Sequence, residues 1–132
     1  MTDAFILDTA RTPRGRGKPD GALHEVAPVE IAATPLRALR ARHGFDTALV
    51  EDVVMGCVDA VKDEAGVGRW SVLAAGYDEG VPTTVINRYC GSGLEAINHA
   101  AAMVGSGQAE LVVAGGVESM SRVAMGSDGG MM

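Results

Sequence analysis

Along the chain, short apolar runs alternate with longer stretches whose apolar residues recur every three or four positions. Ala4 to Asp8, Asp52 to Val58, Thr83 to Asn87 and Glu110 to Ala114 are brief runs of aliphatic, β-branched or aromatic residues and predict four strands. From Pro28 to about His43, Val29, Ala32, Leu36 and Leu39 form one stripe of an amphipathic helix that Gly44 closes. Pro35 interrupts this stripe, so either the helix kinks there or Thr34 caps a helix that begins at Pro35. Val67 to Tyr77 predicts a second helix with Val67, Trp70 and Leu73 or Ala74 inward, and Gly91 to Gly105 a third. The order β-α-β-α-β-α-β is that of an α/β domain with a mostly parallel sheet and right-handed helical crossovers.

The third helix is unusual. Leu94, Ala96, Ile97, Ala100, Ala101, Ala102, Met103 and Val104 leave it little polar surface, which marks a central helix covered on most sides. One sheet covers one side, so this helix calls for a second layer. No internal repeat is visible.

Composition narrows the classes. With 132 residues, 47% hydrophobic and 21% charged, the chain can bury a core, and its 18 glycines against 4% aromatics favour close backbone packing over large rings. A formal charge of −6 argues against a nucleic-acid partner. Met1 to Phe5 lacks a basic secretory n-region, and no apolar run is long enough for a membrane span. Only 2 cysteines occur, Cys57 and Cys90, in no metal-ligand spacing, so neither a disulfide scaffold nor a bound metal is expected and a cytoplasmic setting fits.

Cys90 stands apart by position, at the junction of the third strand and third helix in Asn87-Arg88-Tyr89-Cys90-Gly91-Ser92-Gly93. Ligands of open parallel sheets bind beyond the carboxyl ends of strands, and a helix start presents free N–H groups and a dipole that favour a thiolate. Gly91 and Gly93 keep side chains away from an approaching substrate. The alternative is that a lone cysteine is a small buried hydrophobe, which is the reading for Cys57 in its apolar strand. A nucleophilic Cys needs a base within hydrogen-bond reach. Among the 3 histidines, His99 lies nine residues further along the helix, roughly 13 Å at 1.5 Å per residue. His24 and His43 sit in no recognisable motif. The base has to come from elsewhere.

Three segments, Arg11-Thr12-Pro13, Asn87-Arg88-Tyr89-Cys90-Gly91-Ser92-Gly93-Leu94 and Gly115-Gly116-Val117-Glu118-Ser119-Met120-Ser121, occur in an order and context that resembles the N-terminal half of thiolases, the acyl-CoA C-acyltransferases. The resemblance runs over essentially the whole chain. It implies that Cys90 accepts an acyl group as a thioester from a 3-ketoacyl-CoA and passes it to CoA, or runs the reverse Claisen condensation. It implies that the Cys90 N–H contributes to an oxyanion hole, with Asn87, Gly91, Gly93, Gly115, Gly116, Glu118, Met120 and Ser121 supporting the site. Coenzyme A is then a substrate, and no permanent cofactor is implied. The complete enzyme would be a homodimer or homotetramer of fatty acid metabolism.

The family's second half carries an Asn-Glu-Ala-Phe-like turn, a Gly-His-Pro turn and a Cys-x-Gly-Gly turn, and none occurs in this sequence. The resemblance therefore implies an incomplete N-terminal domain over 1–125, with 126–132 a flexible tail that starts a loop-domain insertion. The family's fifth strand would follow beyond Met132. Such a chain alone is expected to be inactive, and to require the missing C-terminal half. Tyr89 and Pro35 depart from the usual family pattern.

Other features weigh less. Glu118 is expected to support the nucleophile turn rather than to act as a base, since nothing beside it suggests one. Arg11, Arg14, Arg16 and Lys18 could attract CoA phosphates, but a basic run is more often a solvated loop. Met120, Met125, Met131 and Met132 could line an acyl tunnel or simply fill gaps. The competing functions are a ketoacyl synthase-like condensing enzyme and a non-catalytic thiolase-like scaffold or lipid-binding subunit.

Overall fold

The computed structural model describes residues 3–130. Its elements, in chain order, are α1 (Pro28–His43), β1 (Asp52–Gly56), α2 (Val67–Ala74), β2 (Thr83–Ile86), α3 (Ser92–Gly105) and β3 (Val112–Gly116), with short 3-10 turns at Thr47–Leu49 and Lys62–Glu64. The strands form one parallel sheet in the order β2-β1-β3. β1 pairs Val54 with Thr84 on one side and with Ala114 on the other. The central strand is buried on both faces, as its unbroken Val53-Val54-Met55 run requires.

Helices cover both faces. Met55 faces α2, because a β-carbon on Gly68 of α2 would lie 3.7 Å from the Met55 Cβ and 2.9 Å from Val85 Cγ2. The next residue, Gly56, faces the first turn of α3, since successive strand residues point to opposite sides. α1 packs outside, against α2. Ala32, Ala33, Leu36, Val53, Val67 and Val72 form the centre of the core, where a fully buried Val or Leu contributes about 1.5–3 kcal/mol.

α1 is one uninterrupted helix through Pro35, and Thr34 does not cap it; its hydroxyl donates to the Glu30 carbonyl at 2.8 Å. Gly44 ends the helix in the left-handed region at φ 59°, its N–H donating to the Arg40 carbonyl.

Two expectations need correction. Ala4 to Asp8 is not a strand: it runs extended without ladder bonds, and Phe5, Ile6 and Leu7 are more than three-quarters exposed. A strand exists only where a partner supplies its hydrogen bonds. Here a cavity of about 1010 Å3 separates this segment from the outer edge of β3, lined by Leu36, Leu39, Ala101, Val104 and Val113 among others. The segment is tethered instead at Asp8, which accepts from His43 Nε2 at 2.8 Å and Arg42 Nη1 at 3.2 Å. The second correction is the phase of α2. Trp70 is 57% exposed and Leu73 and Ala74 face outward, whereas Val67, Gly68, Ser71 and Val72 face inward. Small residues at 68 and 71 let the helix approach the sheet more closely than a Trp would.

α3 buries Ser92, Ala96 and Ala100, while Leu94 and Ile97 are exposed. The second covering layer called for by its apolar surface is not supplied by the described residues.

Candidate active site

The site is built at the carboxyl end of the sheet, where β2 turns into α3. Asn87 fixes the start of the turn. Its Nδ2 donates to the Val58 carbonyl at 3.1 Å and its Oδ1 accepts the Tyr89 N–H at 2.9 Å. Ser92 fixes the end. Its hydroxyl donates to the Tyr89 carbonyl at 2.6 Å and accepts the Arg88 N–H at 2.8 Å. These short polar side chains bond locally to the backbone in place of regular secondary structure.

The chain reverses through Tyr89, which adopts a left-handed φ of 50° that a bulky residue rarely takes. Such strain is held only where neighbours over-determine the conformation, and the Asn87 and Ser92 bonds on either side do so. Cys90 follows directly, exposed, two residues before the first residue of α3. Gly91 stands at the N-cap position. A cavity of about 270 Å3 lies alongside, lined by Arg88, Gly91, Leu94, Glu95 and Asn98. The larger 1010 Å3 cavity reaches Met120 and Ser121 but not Cys90.

The two cysteines differ sharply. Cys57 is 1% exposed, and burial, with the charges of Glu64, Glu118 and Asp59, pushes its thiol up to about 12. It is protonated at neutral pH. No histidine is hydrogen-bonded to Cys90: His43 pairs with Asp8, His99 is on the exposed face of α3, and His24 Nδ1 is buried without a partner. Among the described residues no base accompanies the nucleophile candidate.

Beneath the turn lie three glycines. A β-carbon on Gly116 would lie 3.0 Å from the Gly56 carbonyl oxygen and 3.2 Å from the Gly93 Cα, so β1, β3 and α3 meet backbone to backbone. Gly115 has open space around it. Glu118 makes no hydrogen bond to the 87–93 turn. It accepts the N–H groups of Val58 at 2.8 Å and Asp59 at 3.1 Å, and the link onward to the turn runs through the Val58 carbonyl and Asn87. Met120, 46% exposed, packs over Gly17, so the loop after the first segment meets the loop after β3. Met125 is also exposed, and Met131 and Met132 lie outside the described residues. In the basic loop, Arg16 pairs with Asp20 on the surface.

Sequence reasoning missed Ser92 and Glu64. Ser92 reads as an ordinary helix-start residue. Glu64, 0% exposed, sits in Lys62-Asp63-Glu64, a charged run that reads as solvated. Burial pushes its carboxyl up to about 7; the Ser119 N–H opposes this, and the charges of Glu118, Asp59 and Asp63 add to it.

Comparison with known proteins shows the family. Residues 4–131 match the family described as thiolase, N-terminal domain. The chain is 44% identical over 128 residues to a steroid 3-ketoacyl-CoA thiolase of Mycobacterium tuberculosis, covering 96% of this chain and 31% of that protein. It is 46% identical over 124 residues to the 3-oxoadipyl-CoA/3-oxo-5,6-dehydrosuberyl-CoA thiolase of Escherichia coli, covering 92% and 30%. Among solved structures it resembles the Bacillus anthracis acetyl-CoA acetyltransferase, with a TM-score of 0.71 at 42% identity over 77% of this chain and 26% of that one. The chain thus spans about 30% of the length of the curated relatives it matches.

Proposed function

The chain belongs to the thiolase family, matching its N-terminal domain, and on that premise we propose that it supplies the nucleophile half of an acyl-CoA C-acyltransferase. Cys90 is the acyl-accepting thiol. Its thiolate attacks the keto carbon of a 3-ketoacyl-CoA, the bond between the α and β carbons breaks, and acetyl-CoA leaves after taking up a proton. The acyl group remains on Cys90 as a thioester until the thiolate of free CoA attacks it and releases the enzyme thiolate. The reverse sequence is the Claisen condensation.

The observation that carries this reading is the contrast in place. Cys90 is exposed at a strained strand-to-helix turn beyond the carboxyl end of a parallel sheet, while the other thiol is sealed in the core. Each stage passes through a tetrahedral oxyanion, and the Cys90 N–H is a donor suited to it; one such donor is worth about 3–4 kcal/mol. Asn87 and Ser92 hold the turn, and the Gly56–Gly93–Gly116 contact seats it on the sheet.

The 1–125 segment acts as the domain and 126–132 as the lead into an insertion. Turnover needs groups this chain does not bring to Cys90, a base above all, and we assign these to the part of the relatives that the chain does not span. CoA and acyl-CoA are the substrates, no permanent cofactor takes part, and a homo-oligomer in the cytoplasm is the working form. No described helix is long and apolar enough to cross a membrane.

Thiolysis of acetoacetyl-CoA tests the proposal. The chain alone is expected to give none, and the chain joined to the remaining two-thirds of a thiolase relative is expected to turn over, with loss on Cys90→Ser. Turnover that survives Cys90→Ser refutes it. A folded, inactive chimaera favours a non-catalytic thiolase-like scaffold instead.

A further inference from the structure

Behind the nucleophile turn, three side chains far apart in sequence converge. Cys57 ends β1, Glu64 closes the 3-10 turn, and Glu118 follows β3. The Cys57 sulfur and one carboxylate oxygen from each glutamate all lie within 4.8 Å of one another.

The centre of this cluster is a buried carboxylate with an unmet need. Glu64 is 0% exposed, and while its Oε1 accepts the Ser119 N–H, its Oε2 is buried without a hydrogen-bond partner. An unpartnered buried carboxylate oxygen is costly and calls for a specific cause. Negative charge accumulates around it: Glu118 is 3.9 Å from the Cys57 sulfur, and Asp59, 3% exposed, is also close enough to disfavour ionisation of Glu64. No basic side chain compensates among the described residues. Lys62 donates to Ser127 Oγ, and Arg122 is taken up by Asp63 and the His24 carbonyl.

A proton on Glu64 Oε2 removes one charge, but in the present geometry its hydroxyl meets no acceptor at hydrogen-bond distance. A cation held between the three side chains offsets their negative charge. Three donor atoms within 4.8 Å of one another can share a single ion at bond lengths of about 2.0–2.3 Å after slight closure. The donor set selects the ion class. Calcium and magnesium want six or more oxygens, whereas one sulfur with two carboxylates suits a borderline transition ion.

We propose that Cys57, Glu64 and Glu118 form a three-ligand binding site for a divalent transition cation of the zinc class, its remaining position open to water, with the exposed side of Glu118 as its entry. On binding, the Cys57 thiol releases its proton to solvent and the sulfur becomes a thiolate ligand. The ion then ties the end of β1, the Lys62–Glu64 turn and the segment after β3 together. Glu118 already holds the Val58 and Asp59 N–H groups, and Val58 is bonded to Asn87, so the tie braces the turn that presents Cys90. This site is independent of the acyl-transfer reading.

Cobalt(II) added to the chain reports on it, because a thiolate ligand gives a near-ultraviolet charge-transfer band. One equivalent is expected to saturate the band, zinc to displace it, and Cys90→Ser to leave it intact. Cys57→Ser removes the band, and Glu64→Gln, which keeps shape and loses charge, weakens affinity by about tenfold or more. Glu64→Gln decides the matter if Cys57→Ser fails to fold. No band in the wild-type chain, a band lost with Cys90→Ser, or full affinity in Glu64→Gln overturns the proposal.

Discussion

Gly56 ends β1 directly beneath Ser92, so that a β-carbon on Gly56 would overlap the Ser92 carbonyl and come within 2.6 Å of the Gly93 nitrogen. The atoms in the way are backbone, which cannot rotate aside. Gly56→Ala is therefore expected to lower stability by about 1–3 kcal/mol through overpacking, and to lift the first turn of α3 from the sheet. Chemical denaturation measures the first effect, and a changed rate of Cys90 alkylation the second. An unchanged denaturation midpoint contradicts this account of the contact.

The strain at Tyr89 predicts an opposite response. Its φ of 50° costs an ordinary side chain about 1–2 kcal/mol, and at 69% exposure the ring has little packing to lose. Tyr89→Gly is expected to leave stability equal or raise it by up to about 1 kcal/mol, after the greater freedom of glycine in the unfolded chain is subtracted. A clear loss of stability on denaturation shows that the ring makes contacts that matter.

The two thiols should differ in reactivity. Cys57 is buried, with its thiol raised to about 12, whereas Cys90 is exposed. Iodoacetamide followed by peptide mapping is expected to modify Cys90 first, by well over about tenfold at neutral pH, since the thiolate is the reacting form. Equal rates in folded protein exclude a core position for Cys57.

Acid should release the first segment. The His43 hydrogen bond, then the Thr9 N–H and the Arg42 bond, hold the Asp8 carboxyl at about 2, below its ordinary 3.8. Because the folded value is the lower one, the tether is complete above about pH 4 and is lost as pH falls through 2. Pepsin cleavage near Phe5, expressed as the ratio of Asp8→Asn to wild type, is expected to be high at about pH 4 and to fall toward one as pH drops through and below about 2. A ratio of one throughout removes Asp8 as the tether.

Much of the fold was legible where local chemistry decides it. Gly44 announced its left-handed cap, and the β-branched runs announced three strands that do pair in parallel. The segment at Phe5 to Leu7 has the composition of a strand, but pairing depends on a neighbour across the 1010 Å3 cavity, which composition does not reveal. Apolar spacing puts Trp70 inward, whereas the close approach of α2 at Gly68 turns it out. The place of Cys90 was readable from a strand-turn-helix pattern. The convergence of Cys57, Glu64 and Glu118 was not, because three distant segments create it and none carries a motif.

The central claim is that Cys90 accepts the acyl group. Incubating a folded chimaera of this chain and the C-terminal two-thirds of a thiolase relative with acetoacetyl-CoA, then quenching in acid and mapping peptides by mass spectrometry, tests it directly. An acetyl thioester on the peptide containing Cys90, discharged by added CoA, is the result predicted. Turnover with Cys90 unlabelled, or the label on Cys57, contradicts it.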